Sequence, residues 1–340
     1  MPRSAYIQPK AAWKVTLDGR DLTEKLAPRL ISLRLSERRG EEADELEIVL
    51  HDSDGKVAIP PEGTVLRVML GWERGSEVTV GLVDKGSFTV DEVAWDGPPD
   101  RLTIRARSAD LKESFRARRN KAWIATTIGA VVTEIAARHG LIARCHADLL
   151  QTAIAAAEQS NKSDMQFLRD LARRHDATAT VKAGTLIFAP IAAATTATGA
   201  TLPTATVTRR QCSSYAWHRA SRENAQDGVE AQWHDKDSAT RKTVTTGGTN
   251  RKRLKKIYST EDDAEKAAKA EASRLSRAAA KLDLVLAAGD PLLAPGVRVL
   301  TSGFKVEIST PTWLIASAVH LMDERGLATR ISLECVPPSA

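Results

Sequence analysis

The sequence predicts a mainly β protein of the α+β class, with two similar β-barrel domains and an α/β domain inserted between them. Three observations carry this. Apolar and polar residues alternate from Trp13 to Asp110 and again beyond Val207, whereas helical spacing is confined to the middle and to one later helix. Segments near the start also recur near the end. The expected boundaries are 1–114, 115–190 and 191–340.

Trp13-Lys14-Val15-Thr16-Leu17 runs into Asp18-Gly19, a strong hairpin signal. Ile31, Leu33 and Leu35, then Leu46, Ile48 and Leu50, then Leu66, Val68 and Leu70 alternate with polar neighbours. Phe88, Val90, Leu102, Ile104 and Ala106 continue the pattern, with Arg34, Glu47 and Arg67 on the opposite face. Asp54-Gly55, Pro60-Pro61 and Gly97-Pro98-Pro99-Asp100 punctuate the strands. Trp13, Trp95 and Trp313 lie in strand patterns and are expected in the core, whereas Trp72 follows Gly71 and is expected exposed at a turn.

From Phe115 the pattern changes. Arg116, Arg118, Arg119 and Lys121 read as a basic connector, and Ile124, Ile128, Val131 and Ile135 as a helix stopped at His139-Gly140. Ser163-Asp164-Met165-Gln166 fits a capping box, in which Ser163 and Gln166 satisfy each other's backbone, with Phe167, Leu168, Leu171 and Ala172 facing inward. Thr178–Ala189 reads as a hairpin turning at Ala183-Gly184.

Residues 192–206, rich in Ala and Thr, read as a linker. Strands are expected at Val207, Tyr215-Ala216-Trp217 and 229–233, and a polar loop over 234–253. A helix at about 260–280 is capped by Thr260, with Glu261, Asp262 and Asp263 at its positive end and Arg274, Arg277 and Lys281 at its negative end. Strands at 282–286, 297–300, 313–318 and 331–336 close the reading.

The recurrence pairs Pro61-Glu62-Gly63-Thr64-Val65-Leu66-Arg67-Val68 with Pro295-Gly296-Val297-Arg298-Val299-Leu300. It then pairs Phe88–Val93 with Trp313–Ala318, and Leu102–Ala106 with Thr329–Leu333. Either a duplication or the general likeness of two β regions accounts for it.

Lys and Arg number 49 against 43 Asp and Glu, a net +6, which is mild for a nucleic-acid packaging protein. Three scattered cysteines (Cys145, Cys212 and Cys335) suit neither a disulfide framework nor a zinc site. No apolar run reaches the ~20 residues of a membrane span. The first ten residues lack a signal-peptide core, so folding in a cytoplasm and no stable membrane insertion are expected.

No catalytic, cofactor or metal constellation is evident. The histidines have no i, i+4 pair, no Gly-x-Ser-x-Gly elbow occurs, and Gly81–Gly86 has phosphate-loop spacing without its lysine. Two carboxylates from distant segments leave a hydrolase as an alternative, whereas the acidic turn Glu41, Glu42, Asp44 and Glu45 reads as a solvated face. Arg251-Lys252-Arg253-Leu254-Lys255-Lys256 suits a DNA backbone, an acidic protein partner or a solvated loop. It lacks the interleaved aromatics of a single-strand binder, so the run is expected to face a protein partner or solvent, and Arg251, Lys252, Arg253, Lys255 and Lys256 with Trp72 are the candidate partner interface. Ser163, Gln166, Leu168 and Trp313 are assigned structural roles.

The pattern as a whole resembles the phage late control protein D family, the baseplate hub of contractile phage tails and tailocins. The resemblance rests on Ala43–Ile48 with His51-Asp52, Leu70-Gly71-Trp72, Gly86–Val93 with Gly97-Pro98-Pro99, and Ser108-Ala109-Asp110. It continues through Lys121-Ala122-Trp123, Ile135–Leu141, Pro295-Gly296 and Trp313–His320. Its most specific stretch is Gln159–Ala172. The resemblance implies two tail-tube-like domains with an α/β insert, no catalytic residues and no cofactor. It implies a homotrimer at the distal end of the virion tail, joining a sixfold tube or tube-initiator protein to a threefold central spike. Baseplate wedge proteins would be further partners, and DNA would only pass through. The alternatives are a tail-tip cell-wall hydrolase and a DNA-binding protein centred on 251–256. A lysozyme domain, present in some hubs, is not expected in this chain.

Overall fold

The computed structural model describes residues 6–40, 43–108, 115, 117–182, 184–193, 195–219, 226–235 and 237–336. Glu41, Glu42, Ala109, Asp110, Arg116 and Ala183, named above, lie outside the described residues.

In the first β region, β1 (Lys10–Leu17) turns at Asp18-Gly19 into β2 (Arg20–Asp21). Helix α1 (Thr23–Leu26) leads to β3 (Leu30–Arg38), β4 (Glu45–His51), β5 (Val65–Arg74), β6 (Gly81–Asp96) and β7 (Arg101–Ser108). Next come β8 (Arg118–Thr127), α2 (Ile128–Arg138), β9 (Ile142–Cys145), α3 (Ala147–Leu150) and β10 (Ala153–Ser163). Helix α4 (Asp164–Arg174), β11 (Ala177–Lys182) and β12 (Thr185–Pro190) follow. The last part holds β13 (Thr204–Thr208), β14 (Cys212–Arg219), β15 (Gly228–Asp235), β16 (Thr240–Gly247), β17 (Arg251–Tyr258) and α5 (Glu261–Ala278). It ends with β18 (Ala280–Leu286), β19 (Arg298–Ser302), α6 (Val306–Ser309), β20 (Trp313–Asp323) and β21 (Gly326–Cys335).

The two β regions repeat one strand order. The first runs β1-β5-β6-β7-β4-β3 in space and the second β13-β19-β20-β21-β18-β14, so chain ranks match at all six places. Hydrogen bonds match too. Gly63 N–H donates to Val90 O at 2.9 Å and Val90 N–H to Thr64 O at 2.9 Å; Gly296 N–H donates to Ile315 O at 2.9 Å and Ile315 N–H to Val297 O at 3.0 Å. Both glycines have positive φ, 80° and 90°, where a Cβ would be strained. One residue later each strand bulges, between Val90 and Glu92 and between Ile315 and Ser317. Phe88 thus corresponds to Trp313, and Ile104 to Ile331, all buried.

Two differences separate the halves. β1 pairs antiparallel with β5, whereas β13 pairs parallel with β19. Between its second and third sheet-forming segments, β14 and β18, the second half also inserts the three-stranded sheet β16-β15-β17 with α5 on its face.

The expected pair of closed barrels is not what the ladders form. Among the described residues no ladder joins β1 to β3 or β13 to β14. Instead Ser317–Met322 of β20 pair antiparallel with Leu33–Arg38 of β3, merging both regions into one thirteen-stranded sheet. The sheet curls around two cores. One centres on Leu33, Leu46, Val68 and Phe88 and takes in Met322 and Leu327 from the far half. The other centres on Leu282, Leu284, Trp313 and Ile331. Each such Leu or Ile side chain contributes roughly 1.5–3 kcal/mol by leaving water. A third core lies wholly within residues 115–188, with Ile128, Val131, Phe167, Leu168 and Phe188.

Local corrections follow from bulges and strand ends. Ile31 was expected inward, but the bulge between Leu30 and Ser32 turns it outward, 41% exposed. Ile124 lies in β8 rather than α2 and is exposed, because the connector is a strand paired with β10 and the helix starts only at Ile128, after Thr127, whose side chain accepts from Ala130 N–H. The loop expected over 234–253 is largely β16 and the start of β17. Ser163 caps α4, its hydroxyl accepting from Gln166 N–H at 3.2 Å, and Leu168 is fully buried; Gln166 itself is exposed.

Candidate assembly interface

The basic run is a strand, not a loop. β17 sits at the edge of its sheet, where charged side chains suit an exposed backbone. Its inward side carries Lys252, paired with Glu271 at 2.6 Å, and Leu254, packed against the core under α5. Arg253 pairs with Glu230 at 2.8 Å. Arg251, Lys255 and Lys256 are exposed. Two of the five cations are therefore matched by carboxylates of their own layer.

Trp72 is buried rather than exposed, because β5 continues through it and pairs it with Gly81. Its Nε1–H donates to Gly289 O at 2.8 Å, tying the first half to the second. It offers no surface to a partner.

A buried charged cluster lies where β3 meets β20. Lys85 Nζ reaches Glu37 Oε2 at 2.6 Å and donates to Pro291 O at 2.9 Å. His320, fully buried, contacts Glu37 Oε2 through Nε2 at 3.1 Å and Thr329 Oγ1 through Nδ1 at 2.9 Å. A neutral ring donating from Nε2 and accepting at Nδ1 satisfies both contacts. Burial pushes the Glu37 carboxyl up, but the bond from His320 and the Lys85 charge outweigh it and hold it at about 2. Burial, with Lys85 nearby, pushes His320 down. A second junction ties α5 to the rest: buried Arg277 holds Asp176 at 2.6 Å and reaches Glu334 at 3.3 Å, and Arg39 meets Glu334 at 2.6 Å.

The stretch Gln159–Ala172 owes its specificity to Asp164. This fully buried carboxylate accepts from Arg138 Nη1 at 2.9 Å and from Gln159 Nε2 at 2.7 Å, and contacts His139 Nε2 at 2.8 Å. His139 in turn stacks on Phe115 at 3.7 Å. Burial raises the Asp164 carboxyl, yet these bonds win and lower it. Sequence reading singled out Ser163 and missed Asp164, Gln159 and His139 as one unit; Gln159 lies five residues from Asp164, but His139 lies 25 away. Among the described residues, no group of three or more His, Cys, Asp or Glu converges to hold a metal ion. Asp44 of the acidic turn accepts from Arg38 N–H and pairs with Lys182 at 3.4 Å.

Two of the open strand edges lie in the two matched halves of the large sheet. β14 is the terminal strand of the large sheet, and Glu92–Asp96 of β6 run past the last rung of β5. Exposed aromatics lie on both: Trp95, 57% exposed, and Tyr215, 44% exposed. Trp95 was expected in the core, and it does lie opposite buried Leu102, but no strand covers its other flank.

A family model described as phage tail baseplate hub matches residues 24–326. The chain belongs to that family. The probable baseplate hub protein of Escherichia phage 186 is 36% identical over 95% of this chain and 92% of its own length. That of Escherichia phage P2 is 34% identical over the same shares. The 43 kDa tail protein of prophage MuSo2 from Shewanella oneidensis shares the fold at TM-score 0.69 and 14% identity, over 95% of this chain and 98% of its own. The late control protein D resemblance is thereby borne out, and the baseplate hub protein is a structural component of the virion tail. Among the described residues, no helix of this hub protein is long and apolar enough to cross a membrane.

Proposed function

We propose that this hub protein is a homotrimeric adaptor between a sixfold tail tube and a threefold central spike. Residues 1–114 and 191–340 act as two tube-like domains and 115–190 as a separate insert. The repeated strand order carries the reading: three copies of a chain holding two like halves offer six like surfaces to one neighbour and three to another. The partners are the spike, the tube or tube-initiator protein and baseplate wedge proteins, with assembly in the host cytoplasm. The protein works as architecture rather than as an enzyme, and it lines part of the genome channel without gripping DNA. Pairing of Lys252 and Arg253 with Glu271 and Glu230 supports weak phosphate affinity. The mass of the purified protein in solution tests this. Three chains per particle are expected; six, or one at all concentrations, overturns the reading.

A further inference from the structure

Among the described residues one strand ladder joins the two halves within the chain, and the repeat says where a second belongs. Within the chain, β3 of the first half pairs with β20 of the second through Ser317↔Arg38, Ala318↔Glu37, Val319↔Ser36, His320↔Leu35, Leu321↔Arg34 and Met322↔Leu33. The counterpart of β20 is β6, with Val90 matching Ile315, so Ser317–Met322 correspond to Glu92–Gly97. The counterpart of β3 is β14. Both strands bulge at the same place against the next strand, between Leu30 and Ser32 and between Cys212 and Ser214, so Leu33 and Leu35 correspond to Tyr215 and Trp217.

Both counterparts are open edges. We propose that β14 of one copy adds antiparallel to Glu92–Asp96 of β6 in the next, repeating between chains the junction that β3 and β20 make within one. The register follows from the intrachain rungs: Trp217 opposite Trp95, His218 opposite Ala94, and Arg219 opposite Val93. The inference rests on the homotrimer proposed above and adds its contact surface. In a ring of three, every such edge is used once.

Exposure supports the pairing independently. His320, the counterpart of Trp95, is fully buried because β3 covers it, while Trp95 is 57% exposed. Leu33 is fully buried under the same ladder, while its counterpart Tyr215 is 44% exposed. Both aromatics lie beside core residues, Trp95 opposite Leu102 and Tyr215 opposite Leu284, so they stand on the side that a joining strand would cover. A directly opposed aromatic pair is among the favourable cross-strand contacts. Open edges of this length otherwise invite unspecific pairing.

Disulfide trapping in the full-length protein tests this. Directly opposed residues come within disulfide reach. Trp95→Cys with Trp217→Cys, and independently Ala94→Cys with His218→Cys, should give covalent two- and three-chain species on oxidation, returned to single chains by reductant. Ala94 is half-buried and His218 exposed, so the second pair guards against a folding defect from losing two tryptophans. Glu92→Cys with Tyr215→Cys, about 17 Å apart in this register, should stay unlinked, as should each single variant. A particle of three chains with neither designed link overturns the pairing and leaves the trimer standing. A covalent ladder running past three chains keeps the pairing and overturns the closed trimer. Single chains without links overturn both.

Discussion

β3 and β14 occupy the same place in two sets of strands with the same order, yet they have opposite surroundings. β3 is hydrogen-bonded on both sides and buries Leu33 and Leu35 completely. β14 is bonded on one side and leaves most of its residues exposed, Tyr215 among them. Strand order therefore does not decide burial; the neighbour does. A sequence carries the first in its alternation and the second only where the covering strand belongs to the same chain.

The comparison breaks or sharpens first at its two matched core aromatics. Phe88→Ala and Trp313→Ala should each cost about 3–5 kcal/mol in a denaturant titration, since both are buried to 1% or less. Trp313 should lie at the upper end, because its Nε1–H bond to Ile308 O at 2.8 Å is lost as well. A negligible loss at either site would show that the halves are not equivalent in their cores.

Glu37 and Arg219 are matched positions with unlike settings. Glu37→Ala strands Lys85 and His320 without their carboxylate and should cost about 3–5 kcal/mol. Arg219→Ala, exposed in the isolated chain, should stay within about 0.5 kcal/mol. Equal effects would sever the buried cluster from the difference between the two strands.

Acid should act through the same cluster. His320 is held below its ordinary value of 6.5, so below that pH the unfolded chain binds more protons and stability falls. The contribution is complete above pH 6.5 and is lost as pH drops through the depressed folded value. His175, pushed by burial to about 4, adds in the same direction. Glu37 then loses its contribution between its ordinary 4.5 and about 2. Denaturation midpoints that stay level from about pH 7 to pH 4 would contradict this. A smaller loss than at the core sites concerns the inserted helices: Ser163→Ala and Thr260→Ala should each cost about 1 kcal/mol, their caps being single bonds of 3.2 Å to Gln166 and Asp263 N–H.

Much of this architecture was readable in the chain. The alignment of Phe88–Val93 with Trp313–Ala318 holds residue for residue, bulge included, because core positions and the glycine turn before each strand keep their chemistry. Helices α4 and α5 were readable from their caps, Ser163 and Thr260. β8, β10, β16 and β17 were not, since they carry Ala, Thr, Lys and Arg at sheet edges where alternation is weak. The candidate interface divided in the same way. The basic run was visible as charge but not as a strand. Trp72 and Trp95 were exchanged, because exposure of an aromatic in a strand depends on a neighbour far away in the chain. The Asp164 cluster was hidden because its partners come from α2, β10 and α4, which only the fold brings together.

The contact between His320 and Glu37 spans 283 residues. At the ribosome's pace of ~5–20 residues per second, β3 waits roughly 15–60 s for the strand that covers it. Throughout that interval Leu33, Leu35 and the Glu37 carboxylate stand on an uncovered edge, and the first core lacks Met322 and Leu327. The nascent chain is thus most vulnerable to strand exchange with its polysome neighbours before its last strands emerge. Slowing synthesis anywhere between β3 and β20 should raise aggregation, because it lengthens that interval, and closure of the insert's own core among residues 115–188 does not shorten it.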